Sequence, residues 1–415
     1  MKPIICLQAG AVFDGRRLLT DASVLIDGDR IFAVKSGRVR PRGSLVIGLG
    51  DRLVMPGLVD LHCDAMEKCL EMRPGVLFAP DFAFQNLDQR LAACGITTFC
   101  HALSFADNEL GLRAPEEAEK LVARIHQHEF RGQCAVRHRI HVRYEIGSER
   151  SAQAIERLIA AGRVDLLSFM DHTPGQGQFK TLQSFLDFYT RNYQVAEDEV
   201  ISMVDRKKDN RRRAWEQASR LAVQARAAGV PILSHDDDTP EKVDLVRRLN
   251  ADGCEFPIAL DAAAAARKAG MQVFMGAPNL VRGVSSSGHL KAAEAVSRGL
   301  CDGLISDYYP ECLVQTPFIA KATLAIEMAQ ALRLVSAGPA SFLRDGVTSG
   351  RLMPGDPADL VVVDTSRDWK RVVQTWVAGR CVYRAERRLP SASDKGRRNR
   401  GPECSGRLRE ANRSF

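Results

Sequence analysis

The feature that most constrains the fold is a regular alternation of short apolar strands and helical stretches from about residue 56 onward. Eight strand candidates recur: GLVDLHCD, GITTFCHA, VRHRIHVRYE, VDLLSFMDH, VPILSHDDD, CEFPI, QVFMGAPN and LISDYYP. Between them lie helix-like segments such as FQNLDQRLAACG, SAQAIERLIAAG and AWEQASRLAVQARAAG, several closed by a glycine where a helix C-terminus wants one. Eight such units predict a closed parallel (β/α)8 barrel of the TIM type. A doubly wound open sheet is the rival, and no Gly-rich dinucleotide fingerprint follows the first strand to support it.

Residues 1–55 read differently. AVFDG, ASVLIDGDRIFAV and SLVIGLG alternate as strands with Gly-Asp turns, and ADLVVVD and VVQTWVAGRCVY repeat that style near the other end. The expected organisation is a small β-sandwich from 1–55 and 347–384, a barrel over 56–346, and a tail over 385–415. The 415-residue chain has the length for this. It carries no run of 18 apolar residues, so no transmembrane helix is expected. Its start fits a strand and turn better than a cleavable signal, and its 11 scattered cysteines read as reduced cytoplasmic thiols.

The net charge of +7 belongs to the tail. Arg380 to Phe415 holds eleven Lys and Arg against four Asp and Glu, so the rest of the chain is balanced. That tail is polar and aperiodic, which reads as a solvated extension. A nucleic-acid or membrane tether is the sharper reading, but no aromatic interleaving supports it.

Ionisable residues stand at the strand ends. Strand one ends in His62-Cys63-Asp64, strand three in Glu145, strand four in Asp171-His172, and strand five in His235 and three aspartates. Glu255 starts strand six, Asn279 follows strand seven and Asp307 ends strand eight. In a barrel these converge at one mouth. So many carboxylates resist desolvation together unless cations neutralise them, and carboxylate oxygen with imidazole nitrogen is the usual ligand set of a divalent metal pair. Strand parity would put His62 and Asp64 on one face, with Cys63 turned away as a packed thiol.

Other polar residues have two readings each. His101 is a ligand or a hydrogen-bonded core histidine, while His126 and His128 read as solvent-facing. Arg137, Arg139, His141 and Arg143 share strand parity with Glu145, and either pair with carboxylates or bind an anion. MGAPNLVRGVSSSGH, with Asn279, Arg282 and Ser286, is a phosphate cradle or a surface loop, and Lys68 and Arg73 follow closely on the metal motif. The gathering of cations favours a polyanionic substrate, and the residues read as a metal-dependent hydrolase.

VMPGLVDLHCD resembles the amidohydrolase superfamily. Within it, HCDAMEK, RPG, GITTFCHALS, HRIHVRYE, MDHTPGQGQF, SHDDDT, MGAPNLVRG and SDYYP resemble the PhnM family of phosphonate metabolism over about residues 5–383. The resemblance implies cleavage of α-D-ribose 1-methylphosphonate 5-triphosphate to the 5-phosphate and pyrophosphate, in the carbon–phosphorus lyase pathway. It implies two divalent ions (Zn, Mn, Fe or Mg) held by His62, Asp64, Glu145 as the bridging carboxylate, His172, His235 and Asp307. Asp307 is expected as general base, and Lys68, Arg73, Arg143, Asn279, Arg282 and Ser286 as phosphate contacts. Two departures stand out: Glu255 occupies the place of the usual strand-six histidine, and Ser286 replaces a family histidine. The alternatives are hydrolysis of a cyclic amide or other C–N bond, and a non-catalytic binding protein. The expected partner is a phosphorylated sugar, with neither membrane nor nucleic acid involved; homo-oligomerisation is left open, since the apolar DAAAAARKAG helix offers no clear interface.

Overall fold

The chain begins with five strands, β1 (Ile5–Phe13), β2 (Leu18–Asp27), β3 (Arg30–Ser36), β4 (Leu45–Gly48) and β5 (Leu53–Pro56). The structure, a computed structural model, describes residues 3–73, 75–106, 113–171, 211–285 and 288–385, with a few isolated positions between 172 and 210. The first strands pair with three from the far end of the chain, β16 (Leu360–Asp364), β17 (Arg371–Val377) and β18 (Arg380–Arg384), in one eight-stranded sheet. Its order is β18-β17-β16-β5-β1-β2-β3, with β4 beside β1. The strands alternate because one face packs a core of its own, containing Leu7, Val24, Ile26, Val54, Leu360, Val362 and Trp376.

The second sheet contains all eight predicted barrel strands and no others: β6 (Leu58–Cys63), β9 (Ile96–Phe105), β10 (Arg137–Glu145), β11 (Leu166–Met170), β12 (Ile232–His235), β13 (Gly253–Glu255), β14 (Gln272–Gly276) and β15 (Gly303–Ile305). Each pairs in parallel with its neighbour in sequence order. A parallel bridge between Cys63 and Asp307 brings the two edge strands together. Between β6 and β9 a hairpin, β7 (Glu71–Arg73) with β8 (Val76–Leu77), stands apart.

Burial on both faces explains the near-continuous apolar strands; every residue of β9 is buried. The interior is plugged by Val59, Leu61, Cys100, Leu166, Leu233, Phe274 and Ile305, with Phe342 and Leu343 among the residues packed on them. Each such side chain contributes about 1.5–3 kcal/mol on burial. The outer layer packs helices on strands through residues such as Leu87, Leu91, Phe99, Leu121, Ile155 and Leu221. Gly57, just before β6, has no room for a side chain, since a Cβ there would lie 2.1 Å from Thr97 Oγ1.

Several histidines and arginines prove structural. His101 is a core histidine, its Nε2 2.8 Å from His138 Nδ1, with His138 Nε2 3.0 Å from Asp88 Oδ1. Burial, helped by His138, holds the His101 ring well below its ordinary pKa. Both histidines were expected to face solvent, but His126 is half-buried with its Nε2 3.3 Å from Arg163 O, and the His128 ring is buried, stacked 4.4 Å from Phe84 and bonded to Asp81 at 3.0 Å. The helix Pro115–Phe130 turns that position onto its neighbour, which composition alone hid. Arg137 pairs with Asp359, and Arg139 with Asp345 at 3.1 Å, so ion pairing is their role in the fold.

Candidate metal and phosphate site

The site grows from the way β6 and β15 meet. Asp307 N donates to His62 O at 2.9 Å, and Asp64 N donates to Asp307 O at 2.6 Å. This reciprocal backbone exchange sets His62, Asp64 and Asp307 side by side. Below it, Ser306 donates to the buried Asp60 through both its hydroxyl (2.5 Å) and its backbone N–H (3.0 Å). Burial is the main reason the Asp60 carboxyl is pushed up to about 6, against the pull of Ser306.

The simple parity argument for His62 and Asp64 needs correction. β6 stops at Cys63, and Asp64 has φ −82° and ψ 9°, capping the helix Ala65–Leu70 instead of extending the strand. The two side chains converge because the chain turns there: His62 Nε2 lies 3.6 Å from Asp64 Oδ1. Cys63 does turn away, into the apolar layer outside the barrel, where burial drives its thiol pKa well up. Three strand ends are followed by left-handed residues that are not glycine: Asp236 (φ 55°), Phe256 (φ 54°) and Asp307 (φ 60°). Such strain costs of order 1–3 kcal/mol each and concentrates where a site is held in place. Here it lies beside His235, Glu255 and the Asp307 carboxylate.

Two groups of donors, each within 4.8 Å, fit a cation: His62 with Asp64 and Asp307, and His62 with His235 and Glu255. The charge balance fits one too. Glu255 is fully buried, yet the His62 and His141 rings outweigh burial and hold its carboxyl well below the usual range. Burial works against a charged His62 ring, but Glu255 and Asp64 raise its pKa to about 10. The carboxylates that favour a charged ring here would equally favour a cation beside it. Asp64 is held well below the carboxylate range because Arg143 outweighs its burial. Asp307 is displaced upward, chiefly by burial and further by Asp64, as suits a group that exchanges a proton.

Of the expected ligands, His62, Asp64 and Asp307 come together in one group, and His235 joins His62 and Glu255 in the other. Glu145 ends β10 on the same parity as Arg143 and is buried, but it belongs to neither donor group found among the described residues. His172 lies outside the described residues, as does Ser286. Of the expected phosphate contacts, Arg143 is nearest: it is buried, and its Nη1 donates to Asp64 Oδ1 at 2.9 Å. Lys68 is exposed, its Nζ 5.1 Å from the centre of the Tyr308 ring, next to Asp307. Arg73 is exposed on the β7–β8 hairpin, and Arg282 is exposed at the end of the helix Ala277–Arg282. Asn279 is committed to the backbone, donating to Leu290 O at 3.1 Å and accepting from Ala292 N at 3.0 Å.

His141, expected from its parity to pair with a carboxylate or bind an anion, donates Nδ1–H to Leu61 O at 2.8 Å and brings Nε2 to 3.6 Å from Glu255 Oε1. Sequence reasoning passed over two neighbours of these residues. Phe256 sets its ring edge-on to His62 at 5.0 Å. Lys242 is 3.5 Å from Asp171 and stacks on Trp215, a placement only the fold reveals.

A parallel eight-stranded barrel with acidic and imidazole donors at its strand ends, joined to a sheet from both termini, defines an amidohydrolase-type hydrolase. The amidohydrolase family model matches residues 314–383. N-acetyl-D-glucosamine-6-phosphate deacetylase from Mycobacterium smegmatis superposes with a TM-score of 0.63 at 19% identity, over 91% of this chain and 100% of that one. Dihydropyrimidinase from Brevibacillus agri does so with 0.56 at 14%, over 92% and 95%. These show the fold. The chain is 33% identical over 341 residues to alpha-D-ribose 1-methylphosphonate 5-triphosphate diphosphatase of Escherichia coli (strain K12), covering 80% of this chain and 88% of that enzyme. It belongs to the PhnM-type family of the amidohydrolases.

Proposed function

We propose that this hydrolase cleaves α-D-ribose 1-methylphosphonate 5-triphosphate to the 5-phosphate and pyrophosphate, as a cytoplasmic step of phosphonate catabolism. The likeness to the Escherichia coli enzyme supports the substrate. The observation that carries it in the fold is Arg143, a buried guanidinium beside the acidic donors at the barrel mouth. A cyclic amide would give such a cation little to do, whereas a triphosphate needs it.

His62, Asp64, His235 and Asp307 would hold one divalent ion, and Glu145 with His172 would complete a second position. Bound there, divalent metal lowers the pKa of a water and neutralises phosphoryl charge. Asp307 accepts the proton of the attacking water at its carboxylate. The water oxygen bonds to the α-phosphorus, the α–β anhydride bond breaks, and the bridging oxygen leaves with pyrophosphate. Arg143, with its Nε free of any hydrogen-bond partner among the described residues, steadies the charge on the phosphoryl oxygens. Lys68, Arg73 and Arg282 meet the outer phosphates, and Asn279 ties the helix that carries Arg282 to Leu290 O and Ala292 N.

The test is to load purified protein with zinc or manganese and measure pyrophosphate release from the ribose 5-triphosphate. Turnover with phosphate esters or amides in place of the triphosphate would overturn the reading.

A further inference from the structure

Glu255 stands where the sequence resemblance led one to expect a histidine ligand. It lies on β13, fully buried, and three strands contribute to its surroundings. His62 Nδ1, from β6, donates to Oε2 at 2.8 Å. Ser168 Oγ, from β11, donates to Oε1 at 2.5 Å. His141, from β10, brings its Nε2 to 3.6 Å from the same oxygen. Because the carboxylate can only accept, its bond to His62 fixes the hydrogen on Nδ1. Nε2 is then the nitrogen that faces Asp64 and Asp307, the other donor group.

We infer that Glu255 is a positioning residue, not a metal ligand: it anchors His62 through Nδ1–H so that Nε2 presents a lone pair to an ion shared with Asp64 and Asp307. A ring nitrogen that donates to a carboxylate at 2.8 Å cannot also donate its lone pair to metal. Ser168 holds Glu255 in turn, and the edge of Phe256, 5.0 Å from the His62 ring, limits the ring's rotation. The replacement of the strand-six histidine by glutamate thus moves that strand from the ion to the residue behind it. The inference rests on the metal reading proposed above and is independent of which substrate is cleaved.

The experiment compares Glu255→Gln with wild type in zinc affinity, by competition with a chromophoric chelator, and in the visible spectrum of the cobalt-loaded protein. A fall of roughly 10–100-fold in affinity is expected, with unchanged metal stoichiometry and an unchanged cobalt band pattern. Unchanged affinity would overturn the inference. Loss of a metal equivalent with an altered cobalt spectrum would also overturn it, by making Glu255 a ligand. Should Glu255→Gln not fold, the wild-type chain decides. With isotope-labelled histidine and NMR-active cadmium, metal coupling to His62 Nε2 supports the inference and coupling to Nδ1 refutes it. Neither readout depends on pyrophosphate release, so failure of the proposed substrate would leave them standing.

Discussion

Arg143 Nη1 donates to Asp64 Oδ1 across 2.9 Å, joining a cation on β10 to a carboxylate that ends the β6 segment. Both side chains are largely withdrawn from water, at 10% and 19% exposure, so the pair is felt more strongly than a surface ion pair. The pair thereby sets one carboxylate and one guanidinium side by side within a few ångströms.

Arg143→Ala should lower kcat/KM by roughly 10²–10³-fold, the effect of removing one charge-stabilising donor. Metal content should hold, since Asp64 keeps its carboxylate. Arg143→Lys should recover only part of the loss, because an ammonium lacks the planar fork. Steady-state kinetics with metal analysis checks both.

Asp307→Asn keeps an oxygen at the same place but removes the proton acceptor. The variant should lose roughly 10²–10⁴-fold in kcat while binding close to normal amounts of metal. A wild-type rate would show that another group takes the proton.

Asp88 accepts hydrogen bonds from Ala135 N (2.8 Å), Val136 N (3.1 Å) and the buried His138 ring. Asp88→Ala leaves all three without that acceptor, and a loss of about 3 kcal/mol is expected in urea unfolding. The residue lies behind the barrel wall, so residual folded enzyme should keep its KM.

Cys134 and Cys301 are only half-buried, yet burial pushes both thiols up to about 12. At pH 8 the thiolate fraction would be about 10⁻⁴, against about a quarter for an ordinary thiol. Native protein should therefore be alkylated by iodoacetamide far more slowly than unfolded protein, as read by mass spectrometry.

The barrel was legible because its strands are buried on both faces and carry their polar residues at one end; all eight were visible as runs. The sheet from both termini was equally visible in its alternation. Less of the site could be read. His62 and Asp64 were expected to converge and do, but the turn at Asp64 brings them together where strand parity was the argument. Glu255 looked like a gap in a ligand set because its partners, Ser168 and His141, sit on strands far away in sequence. Lys242 meets Asp171 only through the arrangement of β11 and the helix Pro240–Arg247. His128 shows the same limit on the outside of the barrel, where a helical histidine is buried by a neighbour no local pattern reveals.

Pyrophosphate release from α-D-ribose 1-methylphosphonate 5-triphosphate, followed before and after removal of metal with a chelator, decides whether the chain is a metal-dependent triphosphate hydrolase. Metal-loaded protein should yield pyrophosphate and α-D-ribose 1-methylphosphonate 5-phosphate in equal amounts, lose turnover on chelation, and recover it when zinc or manganese is returned. Metal-loaded, folded protein that leaves the triphosphate intact would contradict it.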